Sequence, residues 1–360
     1  HAIYDEITGC GKIPAPAAFA AGAVYLENEK MNKRLLTGAV CLSLCLSMCA
    51  CGGGDTLSDA TTTQPGATGR SAESGTETPQ SETTIMATPL PVTAQKPVLQ
   101  NGETYTGLPA LPLQNFIVSD PENTKGLSTE KHGYGYGVAK DGQPHSISVG
   151  NQQYFETNGY KAVCLDQKTT DEKVLYLTFD CGYENGYTEQ ILDVLKEKNV
   201  PSAFFCTLPQ VKDYPELIAR MIAEGHIVGN HSVKHPSFPT LTRLEMAEEI
   251  KGMDDYLRTN FGYSEPYFRF PMGEYSDCAL DLVGSLGYTS VFWSLAYSDW
   301  DLENQKGADY AFETVTARLH PGAVILLHSV SPDNANALGR IIDEARAQGY
   351  VFKSLRDLPA

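Results

Sequence analysis

The sequence predicts an α/β fold, a barrel of about seven parallel strands preceded by a disordered tether. Two observations predict the barrel: strand-like and helix-like segments alternate after Val174, and polar residues follow several of the strands. A third observation predicts the tether, because residues 52–95 are rich in Thr, Ser, Gly, Pro, Ala and Glu and have almost no large apolar side chain. A segment of this composition cannot bury a core.

The amino-terminal part of the chain has the pattern of an export signal. Met31 is followed by a Lys-Arg pair and by an apolar run that ends at Ala50. The run is typical of a secretory signal and is short for a transmembrane helix, which needs ~20 apolar residues. We expect residues 1–30, which lack a starting Met and a clear amphipathic period, to be a leader upstream of the true start at Met31. Residues 31–50 would then be the signal peptide.

A cysteine follows the predicted signal directly. Cys51 comes after the small residue Ala50, which resembles the cleavage box of bacterial lipoproteins, although Met48 stands where Leu is usual. The sequence therefore predicts a lipid on Cys51 and a disordered linker over residues 51–95. We expect an extracytoplasmic, monomeric protein that contacts the membrane only through this anchor.

The net charge limits the possible partners, and the sequence pattern shows where the ordered domain is expected. The formal net charge is −17, from 27 basic and 44 acidic residues, which argues against nucleic acid or an anionic membrane surface as the main partner. Residues 96–132 are weakly patterned and predict little beyond a lead-in. The ordered domain is expected over residues 133–360, because an aromatic and glycine-rich lead-in at 132–145 precedes the regular alternation that starts at Val174.

Nine cysteines do not form a disulfide scaffold here. Five of them, up to Cys51, fall in the leader, in the signal or at the lipidation site. The other four have no paired spacing: Cys164, Cys181, Cys206 and Cys278. Cys181 and Cys206 both lie near the ends of predicted strands, so one bridge between them is an open alternative.

The predicted strands are short apolar runs bounded by turn residues. They lie at 174–179, 202–207, 226–229, 266–269, 289–293, 322–327 and 350–352. Helical periods lie between them, at 188–198, 214–224, 241–261, 276–286, 308–319 and 334–348. Gly225 and Gly349 follow two of these helices, where a left-handed Gly commonly ends a helix. Seven or eight such units favour a closed barrel over an open sheet.

Polar residues follow five of these strands, at the end where barrels carry their functional side chains. They are two carboxylates, an arginine and three histidines: Asp180, His231, His235, Arg269, Asp299 and His328. Each type also occurs for structural reasons, as a surface ion pair, a helix cap or a hydrogen-bonded core histidine. Their shared position at strand ends favours a functional set.

Such a set suits metal-assisted hydrolysis. Two neutral imidazoles, His231 and His235, can hold Zn²⁺ or a similar divalent cation and leave positions for water and a substrate oxygen. Pro236 disfavours continued helix at His235, so the pair is expected on a loop.

The remaining residues suit acid–base work. Asp180 can take a proton from water, and His328 can protonate a leaving nitrogen. Asp299 would favour the imidazolium form of His328. Arg269 would keep Asp180 ionised and aimed.

The stretch from about Gly133 to Leu358 resembles the polysaccharide deacetylases of the NodB-homology family, carbohydrate esterase family four. Five motifs match in order: Thr-Phe-Asp at 178–180, His-Ser-x-x-His at 231–235, Arg-x-Pro-x-Gly at 269–273, Asp-Trp at 299–300 and Leu-x-His at 326–328. The resemblance implies a distorted (β/α) barrel, a divalent metal with zinc as the expected ion, and removal of an N-acetyl group from an amino sugar. It also implies a substrate contact at Leu326.

A finer resemblance is to the muramic acid deacetylases that make δ-lactam in the spore cortex of Gram-positive bacteria. It rests on "GYENGYT" at 182–188, "DWDLENQKG" at 299–307 and "HPGAVILLHSVSPDN" at 320–334. The implied substrate is N-acetylmuramic acid in peptidoglycan glycan strands, after removal of the stem peptide. The product amine could then close onto the lactyl carboxylate. The implied location is the outer face of the membrane of a Gram-positive-like bacterium.

Two positions depart from the family pattern. Cys181 stands where most of the superfamily has a second Asp as a metal ligand. Its thiolate could bind the metal and favour Zn²⁺, or it could point away and leave a two-histidine site completed by water, or the site could bind no metal. Ala296 stands where many relatives carry another acid, which weakens the fourth motif but not the role of Asp299.

Two other functions stay open. One is an inactive lipoprotein that only binds glycan strands, an interpretation that rests on Cys181. The other is a deacetylase of N-acetylglucosamine in peptidoglycan, of chitin or of acetylated xylan. The aromatic residues Tyr183, Tyr187 and Trp300 could stack on sugar rings in any of these functions, or could simply pack at the rim.

Overall fold

The computed structural model describes residues 81–86, 104–105 and 107–359. These residues fall in one unit, Thr78–Ala360. The predicted leader, the signal peptide, Cys51 and most of the linker lie outside the described residues. Within the described part, no helix is both long and apolar enough to cross a membrane.

The described residues form twelve strands. They are β1 (Glu82–Ile85), β2 (Phe116–Ser119), β3 (His132–Gly133), β4 (Ala162–Val163), β5 (Lys173–Cys181), β6 (Ser202–Cys206), β7 (Ile227–Asn230), β8 (Tyr267–Phe268), β9 (Glu274–Tyr275), β10 (Thr289–Val291), β11 (Ala323–His328) and β12 (Tyr350–Phe352).

Eight α-helices are found in the same part of the chain. They are α1 (Ser146–Thr157), α2 (Thr188–Lys198), α3 (Leu208–Asp213), α4 (Pro215–Ala223), α5 (Arg243–Phe261), α6 (Asp277–Ser285), α7 (Ala308–Thr316) and α8 (Pro332–Ala347). Short 3₁₀ turns lie at Phe238–Thr240, Pro271–Gly273, Leu302–Asn304 and Leu355–Asp357.

Eight of the strands form one parallel sheet. Its order is β11-β5-β6-β7-β8-β10-β4, with β12 also paired to β5. The segment after β10 returns to β11: the Ser294 amide donates to the Val324 carbonyl at 2.9 Å, and the Leu326 amide donates to the Leu295 carbonyl at 2.9 Å. These bonds bring the two sides of the sheet together, so the predicted distorted (β/α) barrel is confirmed.

The two faces of β5 bury different layers, because successive side chains of a strand point to opposite faces. Val174 and Tyr176 face the barrel interior, packed with residues such as Phe205 and Val324. Leu177 and Phe179 face the helices. Fully burying a side chain of this size contributes about 1.5–3 kcal/mol, so the two layers together hold the strand ends in place.

Helix ends near the rim are fixed by local signals. Helix α5 begins with a capping box, in which the Thr242 side chain accepts from the Glu245 amide and the Glu245 carboxylate accepts from the Thr242 amide. Helix α8 begins at Pro332, after the N-cap Ser331, whose hydroxyl accepts from the Asn334 amide. Pro is favoured at the first helical position, where a missing amide costs nothing.

Several elements differ from the expectations. All seven predicted strands are present, but the first runs to Cys181, and residues 208–213, for which no element was predicted, form helix α3. The predicted disordered linker, 51–95, contains β1, which pairs antiparallel with β2 of the weakly patterned lead-in. Helix α1 and strand β4 were also not predicted. These elements are short or weakly amphipathic, and tertiary pairing rather than local pattern forms them.

Candidate active site

Asp180 lies near the carboxyl end of β5, one residue before the strand stops. In the sheet register it is opposite His328 of β11 on one side and Phe205 of β6 on the other. Parallel pairing therefore brings the first and last predicted site residues next to each other, although 148 positions separate them in the sequence.

Arg269 is the anchor of Asp180. Its side chain is 0% exposed, and one guanidinium nitrogen donates to Asp180 Oδ1 at 2.8 Å. Other guanidinium bonds go to Thr178 Oγ1 at 2.8 Å and to the Val291 carbonyl at 2.9 Å. The guanidinium carbon Cζ also lies 4.2 Å from the Phe205 ring centre. A buried arginine with this many partners has one orientation.

The pairing decides the charge state of Asp180. Burial alone would raise the pKa of Asp180, but the charge of Arg269, followed by His231 and His328, holds that pKa below its ordinary value. Asp180 is therefore ionised at neutral pH and available as a proton acceptor.

His231 and His235 face each other on the loop after β7. Their Nε2 atoms are 3.2 Å apart, and His231 Nε2 is 3.6 Å from Asp180 Oδ2. His231 Nδ1 lies 2.8 Å from the Arg269 carbonyl, which can only accept a hydrogen bond. In neutral His231 the proton is thus on Nδ1, and the lone pair of Nε2 points to His235 and Asp180.

The loop that carries these histidines is held in an unusual backbone conformation. Ser232 has φ 69° and His235 has φ 57°, both in the left-handed region. The Glu249 carboxylate on α5 accepts hydrogen bonds from the Val233 amide at 3.0 Å and from the Lys234 amide at 2.8 Å. Helix α5 therefore fixes a conformation that would otherwise be costly for residues other than Gly.

These two imidazoles fit a divalent cation. Burial lowers the pKa of both: His231 stays below its ordinary value, and His235 falls to about 3, so both are neutral. Ligands about 2.0–2.1 Å from a tetrahedral zinc ion lie roughly 3.3 Å apart, close to the observed separation of the two Nε2 atoms. Among the described residues, no group of three or more His, Cys, Asp or Glu is arranged to hold a metal.

Cys181 is not brought to the histidines. It is fully buried on the helix-facing side of β5, in the same layer as Phe179 and opposite to the Asp180 side. Cys206 lies opposite it in the register, and both thiols are free, so the two cysteines are not bridged. This placement supports the second of the three alternatives, a thiol that points away.

His328 and Asp299 form the other half of the site. His328 Nδ1 is 2.7 Å from Asp299 Oδ1, and the His328 amide donates to Asp299 Oδ2 at 2.7 Å. Burial lowers the pKa of His328, but the charge and hydrogen bond of Asp299 outweigh this and raise it above its ordinary value. Because Nδ1–H is directed at Asp299, Nε2 is the nitrogen free to face a substrate.

Three polar residues around Asp299 were not predicted from the sequence. Asn334 donates to Asp299 Oδ2 and to the His328 carbonyl, and it accepts from the Tyr297 hydroxyl. Gln305 donates to the Asp299 carbonyl at 2.8 Å. The "NQKG" and "SPDN" stretches contained the signal, but their partners became visible only once the fold brought them together.

The predicted substrate contacts fall in two groups. Tyr183 is 53% exposed and Trp300 is 39% exposed, so both side chains are accessible at the strand-end rim. Leu326 is only 4% exposed and packs in the apolar cluster that contains Phe292 and Trp293. The two aromatic rings are exposed enough to contact a ligand, whereas Leu326 is part of the apolar core beneath the rim.

Gly273 shows why the third motif ends in glycine. Its φ is 64°, and an added Cβ would lie 2.9 Å from the Trp293 ring. Both the conformation and the close approach exclude a larger residue. The motif thus shapes the turn that follows Arg269.

Comparison with known proteins agrees with this geometry. Residues 167–291 match the polysaccharide deacetylase family. The peptidoglycan-N-acetylmuramic acid deacetylase PdaA of Bacillus subtilis is 48% identical over 190 residues, which cover 52% of this chain and 72% of that relative. The chain belongs to the polysaccharide deacetylase family.

A solved structure and a second relative also support this family assignment. The solved structure of Bacillus subtilis PdaA, a family 4 carbohydrate esterase, matches with a TM-score of 0.60 and 43% identity, over 64% of this chain and 98% of that chain. A peptidoglycan-N-acetylglucosamine deacetylase of Bacillus cereus is 32% identical over 185 residues, covering 50% of this chain and 66% of the relative. The predicted resemblance to carbohydrate esterase family four is thus confirmed, and the chain is an enzyme of the polysaccharide deacetylase class.

Proposed function

We propose that this deacetylase removes the N-acetyl group from N-acetylmuramic acid in peptidoglycan glycan strands. The observation that carries the proposal is the pair of opposed groups at the rim: an ionised Asp180 beside two neutral histidines, and a His328 whose protonated form is favoured by its bond to Asp299. Amide hydrolysis needs one group to take a proton from water and another to give a proton to the leaving nitrogen. The two groups lie on adjacent strands, β5 and β11.

Asp180 is the proposed base. Its Oδ1 is occupied by Arg269 at 2.8 Å, which leaves Oδ2 on the side of the histidine pair. A water molecule on that side would lose its proton to Oδ2 as it attacks the acetyl carbonyl carbon. The bond from the Arg269 guanidinium holds the Asp180 carboxylate in one orientation throughout this step.

His328 is the proposed acid. Its Nδ1–H bond to Asp299 leaves the Nε2–H bond for the amide nitrogen of the substrate. Proton transfer from Nε2 turns that nitrogen into an amine, which lets the carbon–nitrogen bond break and acetate leave. The Asp299 carboxylate stabilises the imidazolium before the transfer.

His231 and His235 are the proposed holders of a divalent cation, with zinc as the expected ion. A cation bound there would lower the pKa of bound water and polarise the acetyl carbonyl. The separation of their Nε2 atoms and the Nδ1 bond of His231 to the Arg269 carbonyl support this role. An imidazole whose other nitrogen is fixed in this way is typical of a metal ligand. Cys181 is left out of the proposed ligand set.

The sugar specificity is proposed from the relatives and from the branch segments. A relative named for N-acetylmuramic acid is 48% identical, and one named for N-acetylglucosamine is 32% identical. In the structure, Asn185 of the "GYENGYT" segment donates to the Val330 carbonyl at 2.9 Å, which ties that segment to the loop after His328. We therefore infer that the muramic acid branch segments build the rim around the acid, and that the product amine can close as a δ-lactam.

The anchoring proposal completes this function. A lipid on Cys51 and the linker that follows would hold the catalytic unit near peptidoglycan on the outer face of the membrane. A monomer is sufficient, because every proposed site residue comes from one chain.

The substrate is tested by product masses. The full chain is incubated with peptide-stripped peptidoglycan, with added Zn²⁺ or with chelator, and the strands are digested for mass spectrometry. We expect one acetyl group to be lost from muramic acid, and a further loss of water where the lactam closes. Loss of acetyl from glucosamine instead would keep the chemistry and contradict the substrate. Binding without any acetate release would indicate the inactive glycan-binding alternative.

A further inference from the structure

We propose that two amide side chains, the buried Asn334 and the half-buried Gln305, are positioning residues that hold the acid and the rim tryptophan in one fixed arrangement. This inference rests on the proposed function, because it takes His328 as the acid and Trp300 as a residue that contacts the glycan. It goes beyond that function in assigning roles to residues outside the five motifs.

Asn334 controls the orientation of the Asp299 carboxylate. The Asn334 side chain is 0% exposed and lies in the first turn of α8. Its amide nitrogen donates both to Asp299 Oδ2 and to the His328 carbonyl, the latter at 3.1 Å. Its oxygen accepts from the Tyr297 hydroxyl at 2.6 Å, which fixes which end of the amide faces Asp299. With Oδ2 occupied in this way, Oδ1 is left for the His328 ring.

The whole Asp299 carboxylate is therefore saturated. Oδ1 meets His328 Nδ1, and Oδ2 receives both the His328 amide and the Asn334 side chain. A carboxylate with 0% side-chain exposure cannot replace a lost donor with bulk water. Removing Asn334 would leave Oδ2 with the His328 amide as its one remaining donor, so the carboxylate, and the imidazole that it holds, would be less firmly fixed.

Gln305 fixes the backbone on both sides of Trp300. Its amide nitrogen donates to the Asp299 carbonyl at 2.8 Å and to the Asp301 carbonyl at 2.9 Å, the two residues that flank Trp300. Its oxygen accepts from the Ser331 hydroxyl at 2.8 Å, and Ser331 is the N-cap of α8. The backbone of Trp300 is thus clamped on both sides and tied to the helix that carries Asn334.

The neighbouring segment strengthens this connection. The Asp333 carboxylate accepts from the Lys306 amide at 2.8 Å and from the Gly307 amide at 2.8 Å. The start of α8 therefore holds the "NQKG" segment through two side chains, those of the N-cap Ser331 and of Asp333. Substrate contact and proton donation are positioned by the same helix end, but through different amides.

The division of labour makes a kinetic prediction. Asn334→Leu removes the donor to Asp299 at similar size, so kcat should fall about tenfold or more while KM stays within about twofold. Gln305→Leu loosens Trp300, so KM should rise about threefold to tenfold with a smaller change in kcat. Asn336→Ala is the matched control, because Asn336 is an exposed amide on the same helix whose oxygen accepts only from Gln190. It should leave both constants unchanged.

A milder variant keeps the test valid if Asn334→Leu does not fold. Tyr297→Phe removes only the hydroxyl that orients the Asn334 amide and keeps the ring packing. We expect a smaller fall in kcat, about threefold, again without a change in KM.

A second readout needs no substrate. In the full chain labelled with ¹⁵N-histidine, the His328 Nδ1 proton should give a low-field, slowly exchanging NMR signal, identified by its loss in His328→Asn. Asn334→Leu and Tyr297→Phe should broaden or remove this signal, and Gln305→Leu and Asn336→Ala should keep it. If the wild-type chain does not act on muramic acid, the proposed function fails, and this signal alone then decides the inference.

Two results would contradict the positioning roles of Asn334 and Gln305. A folded Asn334→Leu with wild-type kcat and an unchanged His328 signal would show that the amide does not position the acid. Equal effects of Asn334→Leu and Gln305→Leu on the same constant would show that there is no division of labour. Either result would reduce the network to ordinary packing.

Discussion

At the scale of single residues, the site depends on a charge that is fully buried. Arg269 has no exposed surface, and its bonds to Asp180, Thr178 and backbone carbonyls account for its orientation. The interior charge of Arg269 and that of Asp180 are each tolerable only because the other is present. The carboxylate that we propose as the base is thus also a structural element.

Replacing Arg269 by Met should destabilise the fold as well as the activity. Asp180 would remain buried without its cationic partner, and breaking a buried pair in this way costs about 3–5 kcal/mol. Urea unfolding followed by circular dichroism measures the change. Arg340→Met is the control, because its pair with Asp309 is exposed and should matter little. Equal stability losses in the two variants would contradict the structural role of Arg269.

The pH dependence of the reaction should follow His328. Burial lowers the pKa of His328, but Asp299 raises it overall, so the acid stays protonated to higher pH than an ordinary histidine and is lost as pH rises through the raised value. In Asp299→Asn the charge is gone and burial dominates, so the alkaline limb of kcat should move to lower pH. At neutral pH we expect a loss of roughly a hundredfold. A kcat profile whose alkaline limb does not move would contradict the pairing.

At the scale of elements, the two faces of β5 have separate tasks. Asp180 is on the interior side, and Cys181 is packed on the helix-facing side with Phe179. Two consecutive residues of one strand thus face the candidate site and the helix-side core, because their side chains leave the strand in opposite directions.

This separation predicts that Cys181 is dispensable for metal binding. Cys181→Ala should bind Zn²⁺ with nearly wild-type affinity and should lose only about 1 kcal/mol of stability, through the small cavity. His235→Ala should weaken Zn²⁺ binding more than tenfold. Isothermal titration with Zn²⁺ measures both, with Cys164→Ala as a buried-thiol control. Loss of Zn²⁺ binding in Cys181→Ala would restore the thiolate-ligand alternative.

The histidine loop depends on helix α5. Glu249 accepts two amides of the loop, and Glu248 next to it on the helix is exposed. Glu249→Ala should release the strained backbone around His235 and weaken Zn²⁺ binding about tenfold, with little change in the rest of the fold. Glu248→Ala is the matched control. If the two variants bound Zn²⁺ equally well, the loop would hold its shape without the helix.

At the scale of the whole molecule, closure of the sheet assembles the site. Bonds from Ser294 and Leu295 to β11 bring the segment that carries Asp299 next to His328. The alternating pattern after Val174 predicted the strands, and the rule that function lies at their carboxyl ends predicted the main site residues. Those residues stand directly after apolar runs, so a local pattern was enough to predict side chains that the structure brings together.

The rest could not be read from local pattern. Strand β1 lies in a segment of linker-like composition, and its partner β2 is about thirty residues away, so only tertiary pairing reveals it. Asn334 and Gln305 resemble ordinary helix-start and loop residues in the sequence. Their roles depend on which atoms meet across the closed barrel, and side-chain hydrogen bonds of that kind have no sequence period.

The most direct test of the account is the rate of acetate release from peptide-stripped peptidoglycan by four forms of the chain. They are the wild type, Asp180→Asn, His328→Asn and the double variant. Because the account makes these residues one acid–base unit, each single variant should lose roughly a hundredfold or more, and the double variant should be scarcely slower than the slower single one. Near-wild-type rates in either single variant, with folding and glycan binding intact, would contradict the central claim.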